Sequence, residues 1–294
     1  MRVRAERFGH WPEYLIEALA LATVLVSASL YRTLLEHPAS PVRMAVPDAT
    51  ARRLLMGLAM GGTVMLVVYS RWGRRSGAHL NPAITLTFFR LGRVARADAA
   101  AYGAMQFAGA ALGMIIASQV VGRWLAHPAV HYAVTQPGRT GVAAAFAGEL
   151  LISAGLMTVV LLTAASPRLS RYTGLSAGLL LALYILIESP ISGSSMNPAR
   201  SFGSALAARD FHALWVYFTA PLLGMLGAAE IVVRWRGRRR IPCAKLCHDD
   251  SVRCIFCEHV AARRPWRHRS NGTGEVGMMA MGGKAAAREL AARH

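Results

Sequence analysis

Residues 76–83 read SGAHLNPA and residues 192–199 read SGSSMNPA. Asn-Pro-Ala is a helix start written in sequence. Asn is a favoured N-cap, and Pro fits the first helical position, where its missing N–H costs nothing. The helix opened by Asn81 (PAITLTFFRLG) has room for about ten residues, roughly 15 Å at 1.5 Å per residue. The helix opened by Asn197 (PARSFGSALAAR) is similar. One Asn-Pro is an ordinary turn; two copies in matched contexts specify far more.

The context is apolar. Hydrophobic residues make up 54% of the 294 and charged residues 16%, against about 25% charged in soluble domains. The charges are clustered, so long stretches hold almost none. Disorder, collagen and a secreted disulfide scaffold are excluded, and a soluble enzyme does not fit. Crossing the hydrocarbon takes about 20 mostly apolar residues, and six segments qualify: 13–31, 53–70, 99–121, 142–164, 172–188 and 213–233. The apolar stretches near 82–89 and 198–208 are half that length and cannot cross alone. Half-length segments at matching places in two halves mark inverted repeats whose broken helices meet near the midplane.

The repeat is legible residue by residue. Glu17 lies in one apolar run (LIEALALATVLV) and Glu149 in another (FAGELLISAGLMTVV); each is followed by a second span and then by Ser-Gly-x-x-x-Asn-Pro-Ala. Three spans per copy is an odd number, so the second copy enters the membrane from the opposite face. The expected fold is an all-α membrane protein with six transmembrane helices and two re-entrant half-helices in an inverted 3+3 repeat. Its parts are an N-terminal segment 1–12, a membrane domain 13–233 (repeat one about 13–122, repeat two about 142–233) and a basic, Cys-containing tail 234–294, expected to be mostly disordered. Gly57/Gly61, Gly109/Gly113 and Gly174/Gly178 are four apart within spans, a spacing that lets helices approach closely in lipid.

The net charge of +18 divides evenly: residues 1–233 carry 19 Arg against 10 acids, and the tail carries 14 basic residues against 5 acids. Basic residues beside apolar spans point to lipid and topology, and nucleic acid is not expected as a partner. Arginine counts, decided by the tail, put both termini on the cytoplasmic side. The N-terminus is basic, but no cleavage site closes a short apolar region, so no cleaved signal peptide is expected.

SGAHLNPAITL and SGSSMNPARSFG strongly resemble the signature loops of the aquaporin and glycerol-facilitator (major intrinsic protein) family, over about residues 11–233 and including both glutamates. The resemblance implies a passive channel of the bacterial water-channel type in an inner cell membrane, one pore per subunit, a homotetramer, and no enzymatic chemistry. It assigns pore motifs to Asn81, Pro82, Ala83, Asn197, Pro198 and Ala199, with each Asn side-chain NH2 free to donate to passing water. Gly77, Ala78, His79, Gly193 and Ser195 are expected to line the pore, their carbonyls accepting along it. Half-helix N-termini carry about +0.5 charge each, which opposes cations and protons at the midplane. Arg200 matches the family's constriction arginine.

Glu17, Glu149 and Gln106 sit among apolar residues, where polar groups need partners. Glu17 and Glu149 are read as acceptors for the exposed backbone of the two loops, with a proton relay as the alternative; Glu188 stays unassigned. The constriction departs from strict water channels. Counting back from Asn197 puts Ile185 where those channels place His and Ser194 at the small loop position. Counting back from Asn81 puts Gly61, or Met60 one residue earlier, where they place Phe. Ser201, Ala205 and Tyr217 match the water branch, while Phe218 stands where Trp is usual. The expectation is therefore conduction of water and small uncharged solutes such as glycerol. A glycerol or metalloid-acid facilitator with low water flux is the alternative, and a non-conducting structural member a third reading.

No cofactor is required by this reading. The cysteines, Cys243, Cys247, Cys254 and Cys257, fall within fifteen residues of the tail with His248 and His259 nearby. Clustered thiols suit a structural zinc better than disulfides, although the six-residue gap between Cys247 and Cys254 is short. Reduced, unliganded thiols are the favoured reading, and a zinc site is the alternative.

Overall fold

The computed structural model describes residues 9–166, 168–237, 241, 243–248 and 254–257, all within the unit Met1–Val260. His259 and residues 1–8 of the N-terminal segment lie outside them. In chain order the helices are α1 (Trp11–Glu36), α2 (Pro41–Ala45), α3 (Ala49–Tyr69), α4 (Arg71–Ser76), α5 (Pro82–Arg90), α6 (Arg96–Val121), α7 (Gly141–Ala164), α8 (Thr173–Ser192), α9 (Pro198–Ala208) and α10 (Leu214–Arg236). Among the described residues α1, α3, α6, α7, α8 and α10 are long and apolar enough to cross a membrane. The half-length helices are α5, with 9 residues, and α9, with 11.

Packing follows the repeat. α1 lies against α6, α7 against α10, and α3 pairs with α8 across the two halves, while α5 and α9 meet each other. The close pairings depend on small residues, because helices in lipid gain from tight backbone contact and not from a hydrophobic driving force. At Gly109 of α6, a Cβ would collide with the backbone of Ala18 on α1. Leu15, Leu66, Leu151 and Ile231 face outward and are exposed, as expected for side chains whose solvent is lipid.

Part of the tail is packed, while most of the segment expected to be disordered lies outside the described residues. Of the segment read as mostly disordered, Ile241, Cys243, Ala244, Leu246, Cys247, Cys254, Ile255 and Phe256 are buried in the same apolar cluster as Val68, Ala78, Phe88 and Tyr102 of the membrane domain. Its short apolar residues had no helical or strand period to betray them. Together they fill one end of that cluster.

Gly109→Leu should force α1 and α6 apart, costing about 1–3 kcal/mol or more from overpacking, and lower the melting temperature of detergent-solubilised protein. Gly103→Leu is the control: a Cβ there meets nothing within 4 Å, and its melting temperature should match the parent's.

Candidate pore

Each half-helix is launched from a matching backbone device. α4 ends at Ser76 and α8 at Ser192, and the next residue in each case is a left-handed glycine, Gly77 (φ +97°) or Gly193 (φ +85°). Beyond it the chain alternates: Ala78 and Leu80 in one loop, and Ser194 and Met196 in the other, all have φ +54°. Left-handed backbone is costly for non-glycine residues, so something must hold it.

Two buried carboxylates do so. Glu17 accepts from Ser76 Oγ (2.8 Å), His79 N (3.1 Å), Leu80 N (2.7 Å) and Gln106 Nε2 (2.9 Å). Glu149 accepts from Ser192 Oγ (2.7 Å), Ser195 N (2.6 Å) and Met196 N (2.7 Å). Tyr102 and Tyr217 complete the symmetry by donating to the carbonyls of Ser76 (2.7 Å) and Ser192 (2.6 Å). The scaffold is thus duplicated except for Gln106, which bonds Glu17 alone among the two carboxylates.

The asparagines cap their helices. Asn81 Oδ1 accepts from Ala83 N, and Asn197 Oδ1 from Ala199 N and Arg200 N. Their amides, expected to be free, are each partly engaged across the repeat: Asn81 Nδ2 donates to Met196 O and Asn197 Nδ2 to Leu80 O, both at 2.7 Å. An NH2 has two hydrogens, so one donor per asparagine is left for a solute, and the cross-bonds lock the helix N-termini together.

A cavity of about 180 Å³ passes this junction, lined by Asn81, Asn197, Ile185, Ser194 and Arg200 and by the loop residues Ala78, His79, Gly193 and Ser195. Arg32, Glu36 and Arg53 lie at the Arg200 end; nothing in the apolar pattern singled them out. Arg200 Nη1 has no hydrogen-bond partner among the described residues. His79 is sandwiched between the rings of Phe88 and Phe256, with centroids at 5.3 and 5.2 Å.

Two assigned lining positions need correction. Gly61 is not on the cavity. A Cβ there would strike the carbonyl of Gly178, so Gly61 is the site of close α3–α8 contact. The cavity face of α3 is Met56, Met60 and Val64, four residues apart and about 100° of helix rotation away from Gly61. Counting back from Asn81 crosses Ser70 and α4, where one residue is easily absorbed. Gly77 is also off the lining: its carbonyl accepts from Leu246 N at 3.1 Å.

The cysteine set changes as well. Cys243, His248, Cys254 and Cys257 have their ligand atoms within 4.8 Å of one another, and Cys247 is not in that group. A hydrogen bond between Cys243 and Cys254 (Sγ–Sγ 3.4 Å) pushes the Cys254 thiol well below the usual range and Cys243 above it.

Glu149→Ala should strand Ser195 N and Met196 N, at about 1–3 kcal/mol for each buried donor left unpaired, and lower the melting temperature sharply. Glu149→Gln keeps an acceptor and should lose less. Equal stability of Glu149→Ala and parent would show that the carboxylate does not hold the loop.

A family model described as "Major intrinsic protein" matches residues 5–231. Similar curated proteins include Aquaporin NIP6-1 of Arabidopsis thaliana (36% identity over 185 residues, 62% of this chain and 59% of the relative) and Aquaporin NIP3-1 of Zea mays (36% over 175 residues, 59% and 56%). The chain spans less than two thirds of the length of these relatives. The fold is similar to the X-ray structure of the aquaglyceroporin from Plasmodium falciparum, with TM-score 0.61 at 19% identity, covering 76% of this chain and 96% of that one. The relatives are plant proteins, so the expected bacterial water-channel branch and bacterial inner membrane gain no support from them. The protein is an integral, multi-pass, all-helical membrane protein, and it belongs to the major intrinsic protein family.

Proposed function

We propose that the cavity is a passive pore for water and small uncharged solutes, glycerol among them, and that it excludes ions and protons. The observation that carries this reading is the junction of two half-helix N-termini, cross-locked by Asn81 and Asn197, on a cavity that also bears Arg200. Positive helix ends and a guanidinium disfavour cations, while one amide hydrogen per asparagine breaks a chain of waters by orienting its central member. Glu17 and Glu149 are saturated by loop donors, which favours scaffolding over a proton relay or an ion-coupled transporter. Nothing in this arrangement suggests an enzyme.

Solute range follows from the ring. Met60, Ile185 and Ser194 give it two apolar walls and one small polar one, in place of the Phe and His of strict water channels. Such a ring offers a polyol carbon skeleton a favourable surface and water few partners. The same ring favours, as a second reading, a glycerol or metalloid-acid facilitator with low water flux. The arginine count supports both termini lying in the cytoplasm, and outward apolar side chains suit a homotetramer in lipid.

Proteoliposomes carrying the protein should shrink in stopped-flow osmotic assays and re-swell in glycerol gradients, without dependence on sodium or proton gradients. Arg200→Val should weaken exclusion of ions and larger solutes; unchanged selectivity would remove Arg200 from the constriction. Met60→Phe with Ile185→His should cut glycerol flux while preserving water flux. Complete exclusion of glycerol by the parent protein would show the ring to be narrower than read here.

A further inference from the structure

The tail segment sits in one mouth of the cavity. Leu246 lines the cavity itself. Ala244 O accepts from His79 Nε2 at 2.8 Å, and Leu246 N donates to Gly77 O at 3.1 Å. Phe256, fully buried, stacks on the His79 ring at 5.2 Å with 8° between planes and meets Tyr102 edge-on at 5.9 Å. The tail therefore holds the Gly77 carbonyl off the lining and occupies the imidazole that a solute would meet at that end.

This seat is short and needs fixing from within. The described tail residues show no regular element beyond a helical turn at residues 255–257, and a segment this small cannot order itself on its own apolar contacts. The Cys243, His248, Cys254 and Cys257 ligand atoms converge within 4.8 Å of one another, close to the roughly 3.8 Å separations of a tetrahedron with Zn–S bonds of about 2.3 Å. Backbone N–H groups already point at two of the sulfurs: Lys245 N at Cys243 Sγ (3.5 Å) and Cys257 N at Cys254 Sγ (3.4 Å). Such donors stabilise thiolate ligands. Three thiolates, one neutral imidazole and a divalent ion leave one negative charge, and the buried Lys245 lies close enough to act on Cys254. Three sulfurs with one nitrogen select zinc over magnesium or calcium.

We propose that Cys243, His248, Cys254 and Cys257 bind one zinc ion, and that this ion folds the tail into a plug that closes the pore at the His79 end. The ligands and the seat interleave: Ala244 follows Cys243, and Phe256 lies between Cys254 and Cys257. A metal that fixes the ligands therefore fixes the plug, and its binding energy is the energy of ordering the segment. Withdrawal of zinc releases Phe256 and Ala244 from His79 and opens the pore. The gating half of this proposal rests on the cavity being a conducting pore; the metal half does not.

The test uses the full-length protein, either loaded with zinc or stripped with a chelator before reconstitution, together with a chain ending at Gly237 and the variants Cys254→Ser and Phe256→Ala. Elemental analysis should find one zinc per loaded chain, lost in Cys254→Ser and kept in Phe256→Ala. Osmotic flux should rise about tenfold or more on stripping, as expected when the closed state holds over nine-tenths of the chains. The truncated chain, Cys254→Ser and Phe256→Ala should conduct at the raised level whatever the zinc. Metal-free protein with four titratable thiols, or a Cys243–Cys254 disulfide, would overturn the metal site. One bound zinc with equal flux in loaded and stripped protein would overturn the plug. Silence of the stripped full-length protein, Phe256→Ala and the truncated chain alike, with stoichiometric zinc in the loaded protein, would instead refute the pore reading and the gate with it, leaving the metal site standing.

Discussion

An unpaired peptide N–H within the hydrocarbon costs several kcal/mol, and the two loops before Asn81 and Asn197 expose theirs at membrane depth. Glu17 and Glu149 are the answer to that constraint. Each accepts two consecutive loop amides and the hydroxyl of the serine that ends the preceding helix. This fixes the left-handed steps at Ala78, Leu80, Ser194 and Met196. With the loops fixed, each asparagine caps its own helix and bonds the opposite loop. The cross-locked junction on the cavity is thus a consequence of two carboxylates that do not line it.

Much of this was legible in the sequence because it is local. N-cap, proline and half-length apolar run specify α5 and α9 without reference to anything distant, and the repetition of Glu, Ser-Gly and Asn-Pro-Ala discloses the inverted pairing. The asparagine amides were expected to be free to donate, and the bond each makes to a carbonyl in the other repeat leaves no trace in spacing. Gly61 was misassigned for a similar reason. A glycine reads equally as a small pore residue or as a packing contact, and only the Gly178 carbonyl opposite it decides.

The tail was the least legible part. Its arginines and glycines resemble a solvated extension, and the buried residues, Ala244, Leu246 and Phe256, are too few for any periodic pattern. What the sequence did disclose was chemistry without a place: clustered thiols with a histidine beside them. The structure exchanges Cys247 for His248: the ligand atoms that converge are those of Cys243, His248, Cys254 and Cys257.

That exchange bears on how the two ends of the pore differ. At the Arg200 end, the ring proposed to set selectivity is made of residues that belong to the repeat, Met60, Ile185 and Ser194. At the His79 end, the contacts made by Ala244 and Phe256 lie outside the repeat and touch nothing at the ring. A device at this end can change how many pores are open without changing what an open pore accepts. Separation of the two follows from the inverted repeat itself, which leaves His79 and Ser195 at equivalent places in the two loops but lets only the His79 side meet the tail. The imidazole offers both a flat ring for Phe256 and an N–H for Ala244 O, whereas Ser195, bonded to Ser201 at 2.6 Å, offers neither.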